Sequence, residues 1–394
     1  MTISKFVKNE FILLILLIIM LINPFYYGYR VALLLVFVLF FQLDRTLKLL
    51  DKNVLYLFCF GALYHIIAAN RIDATDKSIF SFLPDVFLPA ILYFVGKGVG
   101  TKYQSADVRI FFIFFILFFF SIIPIISILD QVIEEGFVGT RGLYLIWDKN
   151  IIISSTGLGA YLSINTASVA LFNASKSSKF QKIITVLVAI LFLLSIICVF
   201  RLGNRTQLLI AFVAIFISYF YNFKRMSNIA KYTLFMTFGF LIGYVFYLFV
   251  INSEIVLLYQ DRIGDSEAGE TELGGRLSKW QLAIESILSD PWGWELSRFG
   301  YSHNLWLDVA RISGVLPLIP LVLFSVSSYK LLLKSIKIIK QESFLSTFIF
   351  VFFISIFLTF FVEPIMEGMY LLFFVFCIFV GFMAGITSNN GRII

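Results

Sequence analysis

Residues 111–129 read FFIFFILFFFSIIPIISIL, and residues 344–362 read FLSTFIFVFFISIFLTFFV; neither run contains a charge. A bilayer-crossing helix needs ~20 apolar residues, and both runs meet that length. They are apolar all round. A membrane β-barrel strand would instead alternate over ~10 residues. In lipid every backbone N–H and C=O must be paired within the protein, which leaves helices as the structure such runs can form. The whole chain agrees: of 394 residues 60% are hydrophobic and 14% charged, against about 25% charged in soluble domains, and the mean hydropathy is +0.94. The expected fold class is an all-α polytopic integral membrane protein.

Apolar runs place spans at roughly 9–25, 28–43, 53–70, 80–97, 108–129, 150–172, 181–200, 206–222, 232–251, 303–328, 344–362 and 367–386, about twelve helices. The first two share one apolar stretch interrupted by Asn23-Pro24 and Tyr26-Tyr27-Gly28. Lys5 and Lys8 before FILLILLIIMLI resemble a signal peptide, but no small-residue cleavage site follows, so this segment reads as a retained first span. Cytoplasmic loops are rich in Lys and Arg. With the N-terminus inside, the inner segments carry Lys5 and Lys8; Arg45, Lys48 and Lys52; Lys97, Lys102 and Arg109; Lys176, Lys179 and Lys182; Lys224, Arg225 and Lys231; Lys330, Lys334, Lys337 and Lys340; and Arg392. The outer loops carry acids, Glu134 and Glu135 in one, Glu363 and Glu367 in another. This pattern puts both termini in the cytoplasm.

The chain then divides into an N-terminal bundle of about nine spans (1–251), a large outer loop (252–302) and about three C-terminal spans (303–394). The loop is far longer than ordinary connections. Its first half, QDRIGDSEAGETELGG, is acidic, contains glycine and is expected to be mobile. Its second half is expected to form a short amphipathic helix near 275–289. Leu277, Trp280, Ile284, Ile287 and Leu288 recur at three- and four-residue steps, and Asp290-Pro291 stops the helix. Such a helix lies on the outer membrane surface or on the ends of other helices.

Several function classes are excluded or weakened. The net charge of +7 comes from basic residues scattered between spans, not from a basic face, so no nucleic-acid partner is expected. Cys59, Cys198 and Cys377 sit far apart in apolar runs and show neither disulfide nor zinc spacing; no metal site and no cofactor are expected. GKGVG (96–100) lacks phosphate-loop spacing and reads as a flexible connector. The span 150–172 is polar for its place, with ISSTG and LSINTAS. It serves either close helix packing or the wall of a substrate groove. His65, inside an apolar span, reads as a packed histidine.

The outer side collects cations. Arg201 and Arg205 lie in the turn FRLGNRTQ, Arg276 opens the amphipathic helix, and His303 begins the next span. Arginines at helix ends also snorkel to lipid phosphates, and a cation at a helix start opposes the dipole. Arginines gathered on the side where they are scarce suit another use. A guanidinium grips phosphate oxygens through paired hydrogen bonds, and an imidazole with an ordinary pKa of ~6.5 moves protons near neutral pH. Asp308 and Arg311, three residues apart on a helix, are close enough to pair; alternatively Asp308 orients an arginine or the base.

Arg276, Trp280, Pro291-Trp292-Gly293, His303-Asn304 and Gly314, with Asn204-Arg205-Thr206 before a span, resemble the hallmark of the bacterial O-antigen polymerase and O-antigen ligase family. The usual second glycine of the Pro-x-Gly-x-Gly turn is absent, because Glu295 stands there; the local loop shape is expected to differ. The resemblance implies an inverting glycosyltransferase in the bacterial inner membrane that works on its periplasmic face without metal or nucleotide sugar. Its donor is an oligosaccharide linked to undecaprenyl pyrophosphate, and its surroundings include membrane lipids, a chain-length regulator and a flippase. In a polymerase the acceptor is another lipid-linked repeat unit, which is the expectation here; in a ligase it is the lipid A core. A flippase or transporter is the alternative of another class, although its paired repeats and midplane charges are not visible. With this resemblance, the reading assigns catalysis to His303, Arg205 and Arg276, and substrate binding to Arg201, Tyr301, Asn304 and Trp280, with core packing the alternative for Trp280.

Overall fold

The computed structural model describes residues 2–41, 46–69, 79–137, 142–176, 178–222 and 276–390, with isolated positions between 228 and 243. The expected span 232–251, the acidic half of the large loop and the basic residues Arg45, Lys224, Arg225 and Arg392 fall outside the described residues.

The described chain is mostly helical. In order it forms α1 (Ile3–Asn9), α2 (Phe11–Ile22), α3 (Gly28–Ala32), α4 (Leu35–Phe40), α5 (Lys52–Ala69), α6 (Ile79–Lys102) and α7 (Ala106–Glu135). There follow a hairpin of β1 (Gly142–Leu145) and β2 (Asp148–Ser154), then α8 (Ser155–Ala167), α9 (Lys179–Leu202) and α10 (Arg205–Asn222). The last are α11 (Arg276–Ser289), α12 (Leu305–Ser313), α13 (Val315–Ile338), α14 (Ser343–Val362) and α15 (Tyr370–Asn390). Seven of these helices have stretches long and apolar enough to cross a membrane: 52–69, 83–102, 106–135, 179–202, 315–338, 343–362 and 370–388.

Four expected spans differ. The first two become α2, then α3 with α4, parted where Asn23 turns left-handed (φ +47) and its side chain accepts the Gly28 N–H at 3.0 Å. The stretch 150–172 begins as β2, antiparallel to β1 with Gly142 opposite Ser154, and only then becomes the thirteen-residue α8. The expected span 303–328 is cut at Gly314 (φ +73) into α12 and α13.

The chain forms two compact units, one of residues 1–120, 276–341 and 356–394, the other of residues 121–275 and 342–355. In the first, α6 and α15 lie backbone to backbone. A Cβ on Gly96 would stand 1.9 Å from the Ile378 carbonyl oxygen, and one on Gly100 would stand 2.3 Å from that of Phe382. From the other side, Cβ atoms on Gly381 and Gly385 would stand 2.0 and 2.4 Å from the oxygens of Tyr93 and Lys97. Small residues four apart allow such approach, and without a hydrophobic drive in lipid this packing is what associates helices. GKGVG is therefore a helical packing surface and not a flexible connector. A second device ties down the Lys97 end: its ammonium pairs with Asp51 and donates to the Leu49 carbonyl at 2.7 Å, while the Tyr93 hydroxyl donates to Asp51 at 2.7 Å.

In the second unit, α8 packs on α9 and α10. Ser163, Asn165, Thr166 and Ser168 are fully buried, and the Asn165 amide donates to the Ser195 hydroxyl at 3.0 Å. The polar residues of LSINTAS serve packing, while Ser154 is exposed and Ser155 and Thr156 are half-buried.

Candidate functional site

Helix α11 spans Arg276–Ser289, close to the expected bounds, but its apolar residues divide between two stripes. Trp280, Ala283 and Ile287 turn inward, where Ala283, Trp294 and Ala310 form a buried cluster with Ile287, Phe299 and Leu307 against it. Leu277, Ile284 and Leu288 remain exposed. After Asp290-Pro291 the chain turns at Gly293 (φ +104) and lies across the junction of α12 and α13. The Val315 N–H donates to the Pro291 carbonyl and the Trp294 N–H to that of Arg311, at 2.9 and 3.0 Å. A Cβ on Gly314 would meet the Pro291 carbonyl oxygen at 2.5 Å. Thus the Pro-x-Gly turn and the distant Gly314 are two sides of one contact. Glu295 adopts φ −74°, ψ 150°, extended backbone open to any residue, so the missing glycine imposes no change of path there.

This packing delivers the loop that carries His303. The Trp280 indole N–H donates to the Ser302 carbonyl at 2.8 Å. Asp308, fully buried, accepts the N–H of Ser302 at 2.8 Å and of Asn304 at 3.1 Å. The carboxylate thus clamps the backbone on both sides of His303, which is held at φ +52. A non-glycine residue in the left-handed region costs of order 1–3 kcal/mol and persists only where its surroundings enforce it. Asn304 caps α12, accepting from Trp306 and Leu307 N–H at 3.1 and 3.2 Å, and its amide reaches the Phe361 carbonyl at 3.4 Å. Asn304 and Trp280, expected to touch substrate, are therefore occupied in shaping the loop.

The expected local pair of Asp308 with Arg311 is not formed. Arg311 instead makes an ion pair with Glu367 and lies 5.7 Å from the centre of the Tyr301 ring. The alternative role for Asp308, orienting the base, fits the two backbone bonds. Replacing Asp308 by Asn removes one acceptor oxygen while both N–H groups stay buried. We expect a destabilisation of about 1–3 kcal/mol, measured by thermal unfolding; an unchanged melting temperature would contradict the clamp.

Charge at the site is set by burial. Desolvation, helped by the neighbouring Arg276 and Lys279 cations, lowers His303 to about 4, well below the ordinary value expected from sequence. The imidazole is neutral at pH 7, and its buried Nδ1 has no hydrogen-bond partner among the described residues. Arg276 stands 3.9 Å from Glu363. Glu363 is itself fully buried, and burial raises it to about 8 against the pull of Arg276. The two shifts act oppositely on stability. For His303 the unfolded chain binds the extra proton, so stability falls as pH drops from 6.5 to about 4. For Glu363 the folded chain binds it, so stability falls as pH rises from 4.5 to about 8.

Arg276, Trp280, Tyr301, His303 and Asn304 belong to the first unit, Arg201 and Arg205 to the second. Arg201 is buried and its guanidinium donates to Glu135 at 2.9 Å, so it does not snorkel to the surface. Arg205 opens α10 behind Gly203 (φ +56); its side chain lies outside the described residues. His65 is packed against Tyr64 and Tyr370 as expected. With Arg30, Asp85 and Tyr370 it lines a cavity of ≈ 240 Å³, at the helix ends where the Tyr370 hydroxyl donates to the Asp85 carbonyl at 2.9 Å. Glu363 was read only as an outer-loop acid; a lone carboxyl directly after a nineteen-residue apolar run was the available signal. Among the described residues no group of three His, Cys, Asp or Glu side chains could hold a metal. No protein-family model matches this chain, and no curated protein matches it.

Proposed function

We propose that the protein is a surface-polysaccharide polymerase of the O-antigen type, transferring a glycan from undecaprenyl pyrophosphate to a sugar hydroxyl of another lipid-linked repeat unit. The finer fold reading belongs with it: about twelve spans in a bacterial inner membrane, both termini cytoplasmic, and residues 252–302 on the periplasmic face. One observation carries the reading. The residues of the 276–314 hallmark, far apart in sequence, interlock at Trp280–Ser302, Pro291–Val315 and Asp308–Ser302/Asn304, with a guanidinium and a neutral imidazole close enough to influence each other.

In this mechanism the acceptor hydroxyl oxygen bonds to the anomeric carbon as its proton passes to His303. The anomeric C–O bond breaks, its electron pair leaves with the diphosphate, and the configuration inverts. Arg276 binds the charge that gathers on the leaving group; a preorganised cation of this kind is worth about 3 kcal/mol. The diphosphate also offsets the positive field of Arg276 and Lys279, the smaller causes of the His303 shift after burial, and so returns part of its basicity when donor is bound. Tyr301, partly exposed, offers a ring face to a sugar.

The test is purified protein with a defined lipid-linked repeat unit, with and without a lipid A core acceptor. A ladder of longer lipid-linked products without core is the expected result. Transfer to core alone makes the protein a ligase, and no transfer to either acceptor overturns the enzymatic reading.

A further inference from the structure

Glu363 is the last element of this site without a task. It directly follows α14, whose end is fixed to the His303 loop by the Asn304 amide on the Phe361 carbonyl. Its exposure is 0%, and neither carboxyl oxygen has a hydrogen-bond partner among the described residues. The nearest cation, Arg276, is at 3.9 Å, beyond hydrogen-bond reach. Burying two unpaired carboxyl oxygens is costly, and such groups in a folded protein call for a reason. A stability role is a poor one, because an apolar residue of similar size would fill the space without that cost.

We propose that Glu363 is a second ligand of the diphosphate beside Arg276: protonated, it donates a hydrogen bond to a phosphate oxygen, and ionised, it holds Arg276 for itself and drives the diphosphate off. This rests on the reading of Arg276 as a diphosphate-binding residue. A carboxylic acid can share a cation with an anion; a carboxylate at the same place repels it. Its rise to about 8 keeps Glu363 mainly protonated at pH 7. The charged and titratable groups around this end of the unit include Arg276 and Lys279 on α11, His303 and Asp308, and the Arg311–Glu367 pair. His303, lowered to about 4, stays neutral above pH 6, and lysine and arginine keep their charge well above neutral. Burial also raises Asp308 and Glu367, so comparison with Glu363→Gln is what assigns a charge change between pH 7 and 9 to Glu363. The site takes up the diphosphate with one proton already in place and releases that proton when it lets Arg276 return.

The experiment measures binding of a short polyprenyl diphosphate ester of N-acetylglucosamine, a diester whose two charges are constant over this range, to the full-length protein in detergent at pH 7 and pH 9. For the wild type we expect affinity to fall about tenfold, one pKa unit beyond the midpoint corresponding to one decade. Glu363→Gln keeps a hydrogen-bond donor and cannot ionise, so it should bind equally at both values. An equal decline in wild type and Glu363→Gln, or a flat wild-type profile, overturns this inference and leaves the diphosphate reading standing. No binding by the wild type at either pH overturns both. Infrared difference spectra of the wild type serve if the variant does not fold. Ligand addition at pH 7 should shift a protonated carboxyl band, and a spectrum without one overturns the proposal.

Discussion

Gly381→Leu is expected to prevent the first unit from assembling. The new side chain would start 2.0 Å from the Tyr93 carbonyl oxygen, and that oxygen belongs to helix backbone, which cannot swing aside. The helices must separate, and the contacts along α6 and α15 go with them. We expect a loss above about 4 kcal/mol, the range reserved for gross steric or polar disruption, seen as absence of a monodisperse peak in size-exclusion chromatography. Gly96→Ala should act the same way through the Ile378 carbonyl at 1.9 Å. Gly98→Ala is the control: its Cβ meets nothing closer than Leu49 at 3.8 Å, and alanine favours helix by about 1 kcal/mol over glycine. It should fold as well as the wild type or better. If Gly381→Leu and Gly98→Ala melt alike, the close approach of α6 and α15 is wrong.

The second large effect concerns His303. Removing a general base typically costs 10²–10⁴ in rate, and His303→Ala should lose polymerisation by that factor. Alanine at φ +52 also strains the loop, so His303→Asn is the better variant, because asparagine tolerates left-handed backbone and cannot accept the proton. Both should be inactive and both should bind the diphosphate. The pH profiles carry independent information. With the empty-site imidazole near 4, kcat/KM should stay level from pH 7 down to about 5, since it reports the free enzyme. The kcat profile reports the loaded enzyme and should turn down at a higher pH, because bound diphosphate cancels part of the field of Arg276 and Lys279. A kcat/KM limb near pH 6.5 would mean that His303 is solvated and not held as described.

How much was legible in the sequence depended on the range of the interaction. Helix α11 could be read closely because its signals are local: apolar steps of three and four, then Asp290-Pro291 as a stop. The long apolar helices were legible for the same reason. Gly314 could be tied to the hallmark but not to its partner, since the Pro291 carbonyl that requires a glycine there is more than twenty positions away. GKGVG looked like a connector because half its meaning lies in Gly381 and Gly385. The β1–β2 hairpin was lost inside an apolar run, although Asp148-Lys149-Asn150 interrupts that run and Ile151 to Ile153 are β-branched. Asp308 seemed destined for Arg311 on helical spacing. Tertiary structure offered Arg311 a closer acid in Glu367 and gave Asp308 two backbone N–H groups, and neither could be foreseen from neighbours along the chain.

The pairing of α6 with α15 also sets an order of events during synthesis. A notch of bare backbone at Gly96 and Gly100 is made well before its counterpart on α15, Gly381 and Gly385. Until α15 emerges, that notch lacks the partner it meets in the folded unit. The unit therefore cannot close before α15 is made, so a nascent chain arrested before α15 should remain open to proteases along α6.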